Sequence, residues 1–163
     1  MSEENGRPVS DSKAEYSALA MPNDANPLGT LFGGRVMSLV DLSASISAHR
    51  HARCPVVTAS IDHMNFLVPV RIGDLITCYS QVNRVFRTSM EVGVRVMVEN
   101  LSTGEKKHTS TAYLTFVALD PSGERVTLAQ AMPETADERR RFDQALERRQ
   151  ARLELRERAR TRQ

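Results

Sequence analysis

Tryptophan is absent from this chain, and aromatic residues make up only 5% of its 163 residues. A core must therefore be assembled from Val, Ile, Leu, Met and Ala, and a hydrophobic content of 40% is enough to supply one. No run approaches the roughly 18 consecutive apolar residues of a membrane-spanning helix. The opening MSEENGRPVSDSK has no apolar stretch and does not read as a secretory signal, so residues 1–13 are expected to form a disordered leader. There are two cysteines, Cys54 and Cys78, and no CxxC pair, which excludes a disulfide framework and a thiolate zinc site. Both read as free thiols in a reducing compartment, and a cytoplasmic location is expected. The four histidines show no HExxH or other paired spacing, so neither a metal nor a cofactor is expected. Charge of one sign is also scarce. The net charge is +2, with ten Arg against seven acids in residues 134–163 and a balance of −1 before them. The body is therefore no polyanion binder.

What is present has a clear order. The length fits one domain with a short tail. Residues 12–20 read as a short strand or turn, and MPNDANPLGTLFGG (21–34) is a loop. Residues 34–49 are helix material rich in small side chains, charged only at Arg35 and Asp41 before the His49–Arg50 end. A helix apolar on nearly all sides is expected to be buried on nearly all sides. Four strand segments follow, at 56–62, 74–86, 89–99 and 109–118. In the third, Val92, Val94, Val96 and Val98 alternate with Gly93, Arg95, Met97 and Glu99, the period of a half-buried antiparallel strand. Eleven extended residues span about 36 Å and a 16-residue helix about 24 Å, so such strands are long enough to curl around the helix. The layout is α+β, one helix against one sheet. Residues 134–162 are helix formers charged on every side, with a thin stripe of Phe142, Leu146, Arg149 and Leu153. This tail reads as a solvated helix laced with ion pairs, or as a helix packed on a neighbouring subunit. Its acids interleave with its arginines, which argues against nucleic acid.

Asp41 needs explaining. It falls midway along the helix, and its neighbours three and four positions away are Met37, Ser38, Ala44 and Ser45, none of them basic. A buried carboxylate without partners is costly. Either a strand Arg or backbone donors satisfy it, or it is a carboxylate held in an apolar pocket for general-base or nucleophilic chemistry. Gly34 lies seven residues earlier, within about 20° of two full turns and about 10 Å along the axis. Gly33 and Gly34 either make a tight loop-to-helix turn or let a ligand approach the free amides at the positive end of the helix. A carbonyl oxygen docked there is stabilised as it gains charge. Asn26, extended by the following Pro27, is either a turn residue or a carboxamide that orients water or a carbonyl.

The run MPNDANPLGTLFGGRVMSLVDLSASISA (21–48) resembles the signature of the acyl-CoA hydrolases of the hotdog superfamily, and the likeness continues through VVTASIDHMNFLVPVRIGDLITCYSQV, FRTSMEVGVRVMVEN and STAYLTFVALD. It covers roughly residues 14–121, leaving residues 122–163 as a linker and charged helical tail. The resemblance implies a long antiparallel sheet wrapped around one central helix, and subunits paired through their sheets with active sites at the dimer interface. It implies at least a homodimer, and trimers of such dimers are common in this branch. It further implies hydrolysis of fatty acyl-CoA to a free acid and CoA, with an Asn and a helix Asp meeting from opposite subunits. Both are here, as Asn26 and Asp41.

On that basis Asp41 is the general base or nucleophile, Asn26 of the partner chain orients water or carbonyl, and the amides near Gly34 form the oxyanion site. Gly33 lies beside that site. Thr58 is expected to line the pantetheine tunnel. Arg87, Thr88 and Ser89 are expected near the pantetheine or phosphates, where Arg87 is otherwise an exposed turn cation. His49 and His51 end the helix, where cations suit the dipole. Two other readings come from the same fold class: a hotdog enoyl-CoA hydratase, which usually needs a His that the Asn26–Asp41 motif lacks, and a non-catalytic acyl-CoA-binding module. A structural interaction module leaves Asp41 unexplained.

Overall fold

The computed structural model of the chain describes residues 6–161; residues 1–5 of the expected leader lie outside that range. In chain order the elements are β1 (Arg7–Pro8), β2 (Ala14–Leu19), α1 (Gly33–Ala52), β3 (Val56–Ile61), β4 (Leu75–Phe86), β5 (Ser89–Glu99), β6 (Lys106–Ala118), β7 (Ala131–Met132) and α2 (Ala136–Arg160). β2, β4, β5, β6 and β3 form one antiparallel sheet in that spatial order, and it wraps α1 as the resemblance implied. The alternation in β5 holds: Val92, Val94, Val96 and Val98 are buried against the helix, as are Ala112, Leu114 and Phe116 of β6. Each such side chain fully buried is worth about 1.5–3 kcal/mol for the larger aliphatic and aromatic residues.

Two local devices let the sheet close on α1. The helix face towards β4 is made of Ser43, Ala44, Ser47 and Ala48, all buried, so backbones approach closely. The hydroxyls there satisfy one another: Ser43 Oγ donates to Ser80 Oγ at 2.9 Å, Ser47 and Ser80 share a bond of 2.7 Å, and Ser80 Oγ lies 2.8 Å from the Ser43 carbonyl. Bulges interrupt the ladder in β4 at 82–84, between β5 and β6 near Val96, and in β3 at 58–60. Each adds twist and bend to a long strand. At the first bulge the Asn83 amide folds over Gly93, where an added Cβ would lie 2.8 Å from Nδ2, so a larger residue there would have to displace that amide from its place beside Glu91.

Three expectations are corrected. The leader is part of the fold over residues 7–12: β1 pairs in parallel with β7, Val9 is buried, and Ser12 Oγ accepts from the Val82 amide at 2.9 Å. One apolar side chain and one hydroxyl with a backbone donor to satisfy suffice to fasten it. Within the chain α1 is buried along one side only, leaving Met37 and Leu42 exposed. His51 is not a helix-end cation. It is buried, donates from Nε2 to the Ala129 carbonyl at 2.9 Å, and burial lowers its pKa.

The tail is no freely solvated helix either. α2 packs on the outer face of the sheet through Phe142, Ala145, Arg148 and Arg152, one register off the expected stripe, so Leu146 and Leu153 face away. Glu91, 0% exposed, accepts from Arg148 at 2.7 Å, Arg152 at 3.2 Å and Asn83 at 3.0 Å. Arg148 also stacks on Tyr113, and Arg84 on Phe142. A capping box opens the helix: Thr135 Oγ1 accepts from the Glu138 amide, and Glu138 accepts from the Thr135 and Glu134 amides at 3.0 and 2.9 Å and from Gln81 at 3.0 Å. Burial alone would raise the Glu138 pKa. The two backbone amides, Gln81 and nearby Lys13 outweigh it and hold the value near 2, against an ordinary 4.5. A depressed carboxylate stabilises the fold above its ordinary pKa and stops doing so as pH falls through the folded value. Chemical denaturation between pH 5 and 2 should therefore show the stability gap between wild type and Glu138→Gln narrowing by on the order of 3 kcal/mol. A constant gap would refute this assignment.

Candidate active site

α1 begins without help. Phe32 at its N-cap offers no side-chain bond, and the first turn holds no acid. The amides of Arg35 and Val36 bond the Phe32 carbonyl. Those of Gly33 and Gly34 have no partner among the described residues. An uncapped helix start carries free N–H groups and the positive end of the dipole. The two glycines differ in surroundings. A Cβ on Gly33 would meet two ring atoms of Phe66 at 3.2 Å, whereas a Cβ on Gly34 would meet nothing within 4 Å. A side chain at Gly33 would thus have to move the Phe66 ring slightly, while Gly34 faces open space.

Two turns further on, Asp41 is half-buried, not sealed in a core. Among the described residues no basic side chain pairs with it. Its partner is Thr58, whose hydroxyl donates to Oδ1 at 2.7 Å. Thr58 stands opposite Phe116 in the β3–β6 ladder and so shares the inner face that looks onto α1. The second Asp41 oxygen accepts no hydrogen bond among the described residues. The structure therefore joins two residues expected at separate tasks, the helix carboxylate and the strand threonine.

Asn26 stands apart. Its Oδ1 accepts from the amides of Leu28 at 3.0 Å and Thr30 at 3.2 Å, and its Nδ2 donates to Thr30 Oγ1 at 2.7 Å. The carboxamide is locked into its own loop, and among the described residues no hydrogen bond links it to Asp41. Arg87 occupies the β4–β5 turn with φ +58 and an exposed side chain. Its neighbour Ser89 pairs with Val117, which pairs in turn with Val57. The turn 87–89 therefore lies two strands, about 10 Å, from the start of β3. Next to Gly33 and Asp41, Phe32, Met37, Leu42 and Phe66 are exposed large apolar side chains. A separate cleft of about 570 Å³ under α2, bordered by Asp62, His63, Tyr113, Arg148 and Leu155, holds none of the expected site residues.

Sequence reasoning missed two things here. It gave Phe66 no role, although the residue belongs to the NFLVPVRIGD run, because nothing in sequence shows that the ring reaches Gly33. It also placed Thr58 on a tunnel wall without seeing its bond to Asp41.

The sequence profile of the thioesterase superfamily matches residues 28–105. An uncharacterized acyl-CoA thioester hydrolase of Bacillus subtilis is 45% identical over 128 residues, 78% of this chain and 74% of its own. The crystal structure of a hexameric acyl-CoA thioesterase in its apo form superposes with a TM-score of 0.88 at 40% identity, covering 91% of this chain and 96% of that one. An acyl-CoA hydrolase of Staphylococcus aureus, in complex with butyryl-CoA, CoA and CoA disulfide, superposes with a TM-score of 0.89 at 32% identity, covering 96% of each chain. Structures of its alanine variants at an aspartate, a threonine and an asparagine are similar too.

The glycine pair separates packing from open space. Thermal melting should find Gly34→Ala at least as stable as wild type, since alanine favours a helix by up to about 1 kcal/mol. Gly33→Ala should be the less stable of the two, because the Phe66 ring must yield. Equal stabilities would mean that the ring does not rest on Gly33.

Proposed function

The chain belongs to the acyl-CoA thioester hydrolases of the thioesterase superfamily, and from that membership we propose how its residues cleave a fatty acyl-CoA to free acid and CoA. The observation that carries the reading is the pairing, on one helix, of unpartnered amides at Gly33 and Gly34 with a carboxylate two turns along that is held by Thr58. The thioester oxygen sits in the open space at Gly34, where the amides stabilise the negative charge that develops on it. Asp41 activates a water as general base, or attacks the carbonyl itself. Thr58 fixes the orientation of the carboxylate and leaves its other oxygen free for that work. The CoA thiolate departs without acid assistance. Arg87, Thr88 and Ser89, at the near end of the sheet, serve the pantetheine or phosphate end of the substrate. The three residues replaced in the Staphylococcus aureus variants stand along that chain in the same order and spacing as Asn26, Asp41 and Thr58 stand here.

The rest of the site comes from a second copy. β3 pairs with β6 on one side, and its other edge is open. Beside that edge lie the exposed Met37, Leu42 and Val57. An open edge flanked by apolar side chains is a pairing surface. Two copies joined there bring Asn26 of one to Asp41 of the other, and the preformed Asn26 loop then serves as a rigid presenter of its carboxamide. The hexameric relatives support a trimer of such dimers. Among the described residues no helix is long and apolar enough to cross a membrane. The two free cysteines, Cys54 and Cys78, accord with a reducing, cytoplasmic setting.

Release of CoA thiol from acyl-CoAs of graded chain length tests the reading. Asp41→Ala should lower kcat by about 100-fold or more with the fold intact. Gly34→Ala should melt like wild type yet turn over slowly, because its methyl group occupies the proposed oxygen site. Turnover unchanged in both variants would overturn the mechanism and leave the family activity standing.

A further inference from the structure

Phe66 is 47% exposed, so much of its ring lies at the surface and not in the core. Its ring edge lies on Gly33, with Cε2 and Cζ each 3.2 Å from where a Cβ would stand. It therefore borders the start of α1, where the adjacent Gly33 and Gly34 amides have no partner among the described residues. The loop backbone on either side of the ring is held by hydrogen bonds. The loop that carries it, residues 62–68, is pinned at both ends. At one end the Asp62 amide donates to the Tyr113 carbonyl at 2.9 Å, and the Asp62 carboxylate takes Arg152 of α2 at 2.8 Å. At the other end the Leu67 amide donates to the Thr109 carbonyl at 2.8 Å, and Thr109 Oγ1 donates to the Val68 carbonyl at 2.5 Å. Fixing both ends of a short loop leaves its middle few conformations to choose from. It also connects the arginine-rich tail, through Arg152 and Asp62, to the start of α1.

We propose that Phe66 is a positioning residue of the thioester hydrolase: its ring covers the helix start on the Gly33 side and restricts water there, so that the free amides bind the reacting oxygen with less competition from solvent. The inference rests on the oxyanion role proposed above for these amides. Its physical ground is that an amide donor stabilises a developing oxyanion far more when solvent does not compete and the surroundings are of low dielectric. A ring that shields a donor acts on the transition state, where the charge is, more than on the bound ground state. Its loss should therefore appear in kcat and not in KM.

The test is steady-state hydrolysis of one short and one long acyl-CoA by wild type, Phe66→Ala and Phe66→Leu, with melting temperature and oligomer mass measured on each. Phe66→Ala is expected to lower kcat by about 10-fold or more for both substrates with KM within about 2-fold of wild type. Phe66→Leu, which restores an apolar cover without an aromatic ring, should recover most of the rate. All three proteins should keep the same mass and melt within a few degrees of one another. An unchanged kcat in Phe66→Ala would overturn the proposal. So would a loss expressed as raised KM, which would make the ring a substrate contact, or a loss that accompanies a smaller oligomer or a collapsed melting temperature, which would make it packing alone. If Gly34→Ala leaves turnover intact, the oxyanion reading itself fails, and that outcome is separate from any result at Phe66.

Discussion

The seat of α1 on β4 decides where every other part of the site can be. Ser43, Ser47 and Ser80 bond to one another in a buried contact, and the small residues between them let the helix lie close against the sheet. A bulkier face would lift α1 away, and Thr58 would no longer reach Asp41 across the gap between β3 and the helix. Each hydroxyl in the contact has a partner, so the polarity costs little and fixes the rotation of α1 about its axis. That rotation turns Asp41 and Gly34 outward while Val36, Leu39 and Val40 go into the core.

A second constraint acts from the other side of the sheet. Glu91 is fully buried beneath α2, and a buried carboxylate is tolerable only with its charge matched. Arg148 and Arg152 supply the match, and burial, which alone would lower the Arg148 pKa, is outweighed by its hydrogen bond and charge pairing with Glu91, so the value rises. Because Arg152 also holds Asp62, the tail is tied into the loop whose Phe66 rests on the start of α1. A helix that looks in sequence like a solvated appendage thus closes one face of the sheet and steadies a loop beside the site.

How much of this was legible in sequence depends on the kind of signal. Period-two alternation at Val92–Val98 and at Ala112–Phe116 reports burial directly, so the sheet and its inner face could be read from the chain. The break at MPNDANPLGT and the small-residue run after Gly33 marked α1. What was not legible rests on contacts made at long sequence separation. The bulges that curl the strands leave no residue signature beyond Gly93 and Asn83. Glu91 reads as a solvent-facing residue of a half-buried strand until α2 covers it, and the Arg148 and Arg152 that cover it read as surface charge. The catalytic candidates Asn26, Asp41 and Gly34 came from resemblance as much as from residue physics, since helical spacing relates Gly34 to Asp41 but says nothing about Asn26. The Asp41–Thr58 bond joins residues 17 positions apart that no periodicity links.

Within one chain Asn26 is bound to its own loop and Asp41 to Thr58, and the proposed working site is assembled between two copies. Subunit complementation tests it most directly. Asn26→Ala and Asp41→Ala proteins, each inactive alone, are unfolded together, refolded as a mixture and assayed for CoA thiol release. If each site takes its asparagine from one subunit and its aspartate from the other, half of the random dimers are mixed and each of those has one intact site, which predicts about a quarter of wild-type activity. A mixture that contains mixed dimers yet stays as inactive as its parents would contradict the shared site.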